Sequence, residues 1–122
     1  MKIEVSIGEI VDKWTILCLK AVKIDDPTKL LNVEKERDYL YTIIPKDIME
    51  DSLAEELHWV NKELWVVEDL LRECERAGEF GLQFIGFARS VYRLNDKRAH
   101  IKKQINMKYG SEFVEEKSYQ PY

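Results

Sequence analysis

The sequence predicts an all-α fold, and three observations carry that expectation. Apolar residues recur at three- and four-residue intervals along most of the chain, the period of a helix with one buried side. Glycine and proline number only 5 and 3 in 122 residues, too few for the many turns of an all-β protein. Charged residues make up 34% and apolar residues 45%, a balance that suits long amphipathic helices. A chain of this length forms one domain, residues 1–122, and buries roughly two-thirds of the surface its unfolded form exposes. The expected architecture is a four-helix up-and-down bundle in which the third and fourth helices make a long antiparallel hairpin, followed by a non-helical tail.

The first helix spans about 7–25. Ser6 and Glu9 form a capping box, each side chain able to satisfy the other's backbone amide. Ile7, Ile10, Trp14, Leu17, Ala21 and Ile24 then repeat at helical spacing. The second helix, about 27–44, starts with Asp26 as N-cap and Pro27 in the first turn. Its stripe is Leu30, Val33, Leu40, Tyr41 and Ile44, and Pro45 stops it.

The third helix, about 50–77, carries the longest regular signal. Leu53, Leu57, Val60, Leu64, Val67, Leu71 and Cys74 alternate steps of four and three, and Gly78 sits where a helix C-cap is expected. The fourth, about 82–109, carries Phe84, Phe87, Ala88, Val91, Leu94, Ile101 and Ile105 and ends at Gly110. The tail, 111–122, has no helical period. Its Phe113, Val114, Tyr119 and Tyr122 are more apolar than a disordered end, so it is expected to pack on the helices or across a partner.

Some helices carry a second apolar face. Trp59, Val66 and Leu70 lie roughly opposite the main stripe of the third helix, and Ile16 and Leu19 do the same on the first. A peripheral helix needs only one apolar side, so a second implies a central position or a partner, and in so short a chain these five residues point to an interface and hence to a homodimer.

Polar residues also fall within the stripes. On the fourth helix Asn95, Arg98 and Lys102 lie within about 40° of Val91. Arg37 sits in the middle of the second stripe, and Glu68 and Asn61 lie near Leu64 on the third. Buried charges must pair or line a wet pocket. Glu68 is the expected counter-ion of Arg98, with Arg37 competing for it. The group reads first as a network that fixes helix register. A second reading is that the long Arg and Lys stems snorkel from the stripe's edge. The third is a site in which Arg37, Arg98 and Lys102 hold an anionic carboxylate, phosphate or nucleotide-sugar ligand, with Glu68, Tyr92 and Asn95 beside them. Helical chorismate mutases offer an analogy, without a shared motif.

Charge is distributed unevenly. Asp47–Glu79 holds 11 acids against 3 bases, whereas Arg89–Lys108 holds 7 bases against 1 acid. An acidic helix beside a basic one explains both, which weakens a nucleic-acid reading of Arg89, Arg93, Lys97 and Lys103. The net charge of −4 argues the same way.

Other chemistry is thin. Glu55 and His58 have the Glu-x-x-His spacing of di-iron bundles, but His100 has Lys97 where the second motif needs an acid. Glu9 and Asp12 resemble half of the paired acidic motif of all-α nucleotide pyrophosphohydrolases, and the other half is missing. No metal and no cofactor is expected. Cys18 and Cys74 form no C-x-x-C pair and read as reduced thiols. Acids at Glu4, Glu9 and Asp12 interrupt any signal-peptide core, and no window reaches the ~18 apolar residues of a membrane span. A cytoplasmic location is expected.

Taken together, "VSIGEIVDKWTILCLK", "ELWVVEDLLRE", "GEFGLQFIGFARSVYRLNDKRAHIKKQIN" and "GSEFVEEKSYQPY" resemble a family of small bacterial and phage proteins of unknown function. The run Ala88–Asn106 and the closing "EEKSY" are the most specific parts. Trp14 and Cys18 stand where that pattern has a leucine and an acidic residue. The resemblance implies no reaction. It does draw attention to Tyr92, Asn95, Asp96, Arg98 and Lys102, and to the tail motif Glu115, Glu116, Lys117, Ser118 and Tyr119. The leading functional expectation is a non-enzymatic assembly or adaptor protein acting as a homodimer. A small helical enzyme or ligand-binding protein is the alternative, and nucleic-acid contact the weakest reading.

Overall fold

The computed structural model describes residues 1–122 and contains helices and no strands. The helices are α1 (Ile7–Lys23), α2 (Pro27–Ile43), α3 (Lys46–Met49), α4 (Ser52–Ala77) and α5 (Leu82–Lys108). The four long helices match the sequence expectation within two residues at each end. The single turn α3 is additional, because four residues are too few to display a period.

The caps explain the boundaries. The Ser6 hydroxyl accepts from the Glu9 amide at 3.2 Å, and Asp26 accepts from the Lys29 amide at 2.9 Å. Asp51 caps α4 by accepting from the Leu53 amide at 2.8 Å. Gly78 ends α4 in the left-handed conformation, φ 65°, which its missing Cβ makes inexpensive.

The α4–α5 pair is antiparallel, since Asp51 at the start of α4 meets Lys108 and Tyr109 at the end of α5. Alpha1 begins at that same end, with Ile7 and Gly8 against Ser111 and Asn106. It packs on α2, α4 and α5, whereas the extensive contacts of α2 are with α1. The core therefore lies at one end of the hairpin, around Val11, Leu57, Val60, Ile101 and Ile105, with Val33, Leu40, Ile44 and Ile48 closing it from the α2–α3 side. Tyr41, expected in the second stripe, is exposed instead.

The helices differ in length. Alpha1 has 17 residues, or about 25 Å, while α4 and α5 have 26 and 27, or about 40 Å. Starting level with α1, the hairpin outruns it by roughly 14 Å. From Lys62 to His100 the sole buried residue is Cys74. The distal hairpin is thus a two-helix arm whose apolar residues are only partly covered.

Candidate functional site

Two polar seams meet where α1 crosses α5. On α1, Gly8, Asp12 and Thr15 lie one turn apart; on α5, Asn95, Arg98, Lys102 and Asn106 do the same. Gly8 sets the closeness of approach. A Cβ there would stand 2.6 Å from the Lys102 carbonyl oxygen and 3.0 Å from Asn106 Oδ1. The Gly8 amide donates to that same Asn106 oxygen at 2.6 Å. The Asn106 amide nitrogen is buried and has no partner.

Asp12, 1% exposed, is the centre of the seam. Arg98 donates to it through Nε at 2.9 Å and through a terminal nitrogen at 2.5 Å, a fork on both carboxylate oxygens. Asn61 of α4 donates to Asp12 at 2.9 Å and to the Thr15 hydroxyl at 2.9 Å. The Thr15 hydroxyl in turn donates to the Asp12 carbonyl. One turn away, Lys102 donates to Glu9 at 2.7 Å and to Glu115 of the tail at 3.3 Å.

The electrostatics follow from these pairs. The hydrogen bond to Asp12 outweighs partial burial and raises the pKa of Arg98. Burial works against the Lys102 cation, but the Glu9 hydrogen bond and the charges of Asp12, Glu9 and Glu115 prevail and raise it as well. Elsewhere, burial pushes the Cys18 thiol up, and nearby Arg37 pulls it partly back.

Several expectations need correction. Glu68 does not pair with Arg98; it is bound by Arg72 one turn along α4, although it lines a cavity of about 260 Å³ beside Arg98. Arg37 does not compete for either, being paired with its neighbour Asp38. Tyr92, Asn95, Arg98 and Lys102 do share one side of α5. Of the basic residues of α5 only Lys108 is paired with the acidic stretch, at Asp51 before α4; Arg98 and Lys102 go to α1, and Lys102 and Lys103 to Glu115 and Glu116 of the tail. Of the expected interface residues, Trp59 and Val66 are exposed and Ile16 and Leu70 partly so. Leu19 is 5% exposed and belongs to the interior.

Residues 111–122 have no helix and run back along α5. Ser111 Oγ accepts from the Ile7 amide at 3.0 Å, Glu115 reaches Lys102, and the Tyr122 ring meets Tyr92 edge-on at 5.2 Å. Lys117 lies 3.7 Å from Glu115 and 5.9 Å from the Tyr119 ring. Ser118 is exposed.

Sequence reasoning placed Arg98 and Lys102 near the seam but left Asp12 and Thr15 outside the candidate set. The signal was present in the four- and three-residue steps of Gly8, Asp12 and Thr15, which mark a narrow, polar side of α1.

These features define an all-helical protein whose polar interior is largely satisfied by its own side chains. The chain belongs to a family of unknown function, DUF6165, whose model matches residues 1–122. No curated protein and no solved structure matches it.

Proposed function

We propose that this is a non-enzymatic assembly protein that works as a homodimer in the cytoplasm, joined through the distal arm of α4 and α5. The observation that carries the proposal is the arm itself. Two helices packed on each other alone cannot cover the apolar sides of both. Val66, Phe80, Leu82 and Ile85 are left exposed, and Trp59 and Val66 line a groove of about 490 Å³ with Val67 and Leu94. Large apolar side chains left exposed along one arm are what an interaction site presents.

Charge argues for a second copy as the occupant. Arg89, Arg93 and Lys97 on α5 have no acidic ion-pair partner within the chain, and Glu63, Asp69, Glu73 and Glu75 on α4 have no basic one. A two-fold axis that lays α4 of one protomer on α5 of the other would match these sets while burying both arms in a four-helix layer. The polar seam then serves to hold α1 and the tail on the hairpin rather than to perform chemistry. Its charges are paired, which is the condition for burying them.

The test is sedimentation equilibrium of wild type against Val66→Glu and Ile85→Glu, each at an exposed position. Wild type is expected to sediment as two chains and both variants as one, with the variants' helix content unchanged. Wild type sedimenting as one chain at tens of micromolar overturns the reading.

A further inference from the structure

Three cavities meet beside the polar seam. One of about 510 Å³ is lined by Val91, Tyr92, Asn95, Asp96, Lys117, Tyr119 and Tyr122. A polar one of about 210 Å³ shares Asn95 and Lys117 with it and adds Arg98, Lys102, Glu9 and Glu115. The 260 Å³ cavity on the other side of Arg98 also includes Asn95. Asn95 is the residue common to all three.

Lys102, Glu9 and Glu115 at this junction belong to the paired network, and a few further groups there are not fully engaged by it. The Asn95 side chain makes no hydrogen bond within the chain, and the second terminal nitrogen of Arg98 is unused by Asp12. Lys117 makes no hydrogen bond, lying 3.7 Å from Glu115 and 5.9 Å from the Tyr119 ring. At one end, then, stand a free guanidinium nitrogen, a loosely held ammonium and an amide. At the other stand three tyrosine rings beside the Asp96 carboxylate, whose bond from the Tyr122 hydroxyl raises the pKa of that tyrosine.

We propose that the cleft between α5 and the tail binds a small molecule that joins a flat ring to an anionic group, the ring lying among Tyr92, Tyr119 and Tyr122 and the anion against Lys117 and Arg98. Aromatic side chains hold flat rings through their faces, and a guanidinium with an ammonium suits either a phosphate or a carboxylate. Asn95 sits between the two halves and orients the ligand through its amide. The anion competes with Glu115 for Lys117. The site is independent of the dimer proposed above.

Calorimetric titration of the full chain distinguishes the two anion sources. UMP and AMP probe a ring-bearing phosphate, and 4-hydroxybenzoate a ring-bearing carboxylate. Uridine and inorganic phosphate probe each half alone. One of the ring-bearing anions is expected to bind with a dissociation constant at or below a few hundred micromolar, at least about tenfold more tightly than either half. Lys117→Ala and Tyr119→Ala, both at exposed positions, are each expected to weaken it by about tenfold. Asn95→Leu, checked for an unchanged circular dichroism spectrum, is expected to do the same. The proposal is overturned if no ring-bearing anion binds at several millimolar, if inorganic phosphate or uridine binds as tightly as UMP, or if the variants bind as wild type does.

Discussion

Replacing Gly8 by alanine probes the contact on which the α1–α5 seam depends. The added Cβ would lie 2.6 Å from the Lys102 carbonyl oxygen, and that oxygen is backbone, unable to rotate away. An ordinary C···O contact is about 3.3 Å, so α1 and α5 must separate by roughly 0.7 Å. The Gly8–Asn106 hydrogen bond of 2.6 Å stretches with them, and the neighbouring Asp12–Arg98 and Glu9–Lys102 pairs shift too. Overpacking of this kind costs about 1–3 kcal/mol, and weakening one buried hydrogen bond about 1 kcal/mol more. Alanine's better helix propensity returns up to about 1 kcal/mol. The net expectation is a loss of about 2 kcal/mol, or a melting temperature lower by roughly 6–10 °C. Gly86 provides the control. It is also helical, but a Cβ there meets nothing within 4 Å, so Gly86→Ala is expected to stabilise by up to about 1 kcal/mol. Urea unfolding followed by circular dichroism measures both. If Gly8→Ala is neutral, or stabilises as Gly86→Ala does, the close approach of α1 to α5 is refuted.

The remaining predictions concern the charged contacts and the tail. Arg98→Met leaves the Asp12 carboxylate buried with Asn61 and without its cation, and is expected to cost about 3 kcal/mol, the low end for a broken buried pair because Arg98 is itself 29% exposed. Adding Asp12→Leu should recover more than half of that loss by denaturant unfolding; additive losses would contradict the pairing. Asp51 and Tyr109 predict a pH window. Bonds from Lys108, Tyr109 and the Leu53 amide lower the Asp51 pKa from 3.8 to about 2, so its contribution is present above pH 4 and lost as pH falls towards 2. The bond to Asp51 raises Tyr109 from 10.0 to about 12, so that contribution is present below pH 10 and lost towards 12. Tyr109→Phe should flatten the alkaline limb of melting temperature against pH, and an unchanged limb would refute the assignment. Deleting residues 111–122 removes the Ser111 bond to Ile7 and the Glu115 pair with Lys102, and should lower the melting temperature by several degrees; no change would mean that the tail does not hold α1.

Local signals wrote most of the fold into the sequence. Ser6, Asp26 with Pro27, and Gly78 are caps whose chemistry is visible in a few adjacent residues, although Glu9 turns to Lys102 instead of completing the box with the Ser6 amide, and the long stripes fixed what lay between them. The Lys46–Met49 turn escaped because one turn has no period. Part of the seam was legible too: polar residues inside the stripe of α5 announced Asn95, Arg98 and Lys102. Their partners were not, since pairing is a property of how helices cross. Glu68 lies near the stripe of α4 whereas Asp12 lies opposite the main stripe of α1, and only packing decides which one Arg98 meets. Leu19 was misread for a related reason. It lies off the main stripe of α1, and a helix covered on three sides by α2, α4 and α5 buries more than one stripe.

Hydrogen exchange as a function of protein concentration reads, residue by residue, whether the arm is covered by a second copy. If a second copy covers the arm, amides of α4 and α5 between about Val66 and Val91 gain protection as concentration rises from below one micromolar to hundreds. Amides around Val60 and Ile101, already in the core, stay constant. Protection in the arm that is independent of concentration, in a chain that sediments as a single copy throughout, would contradict the account.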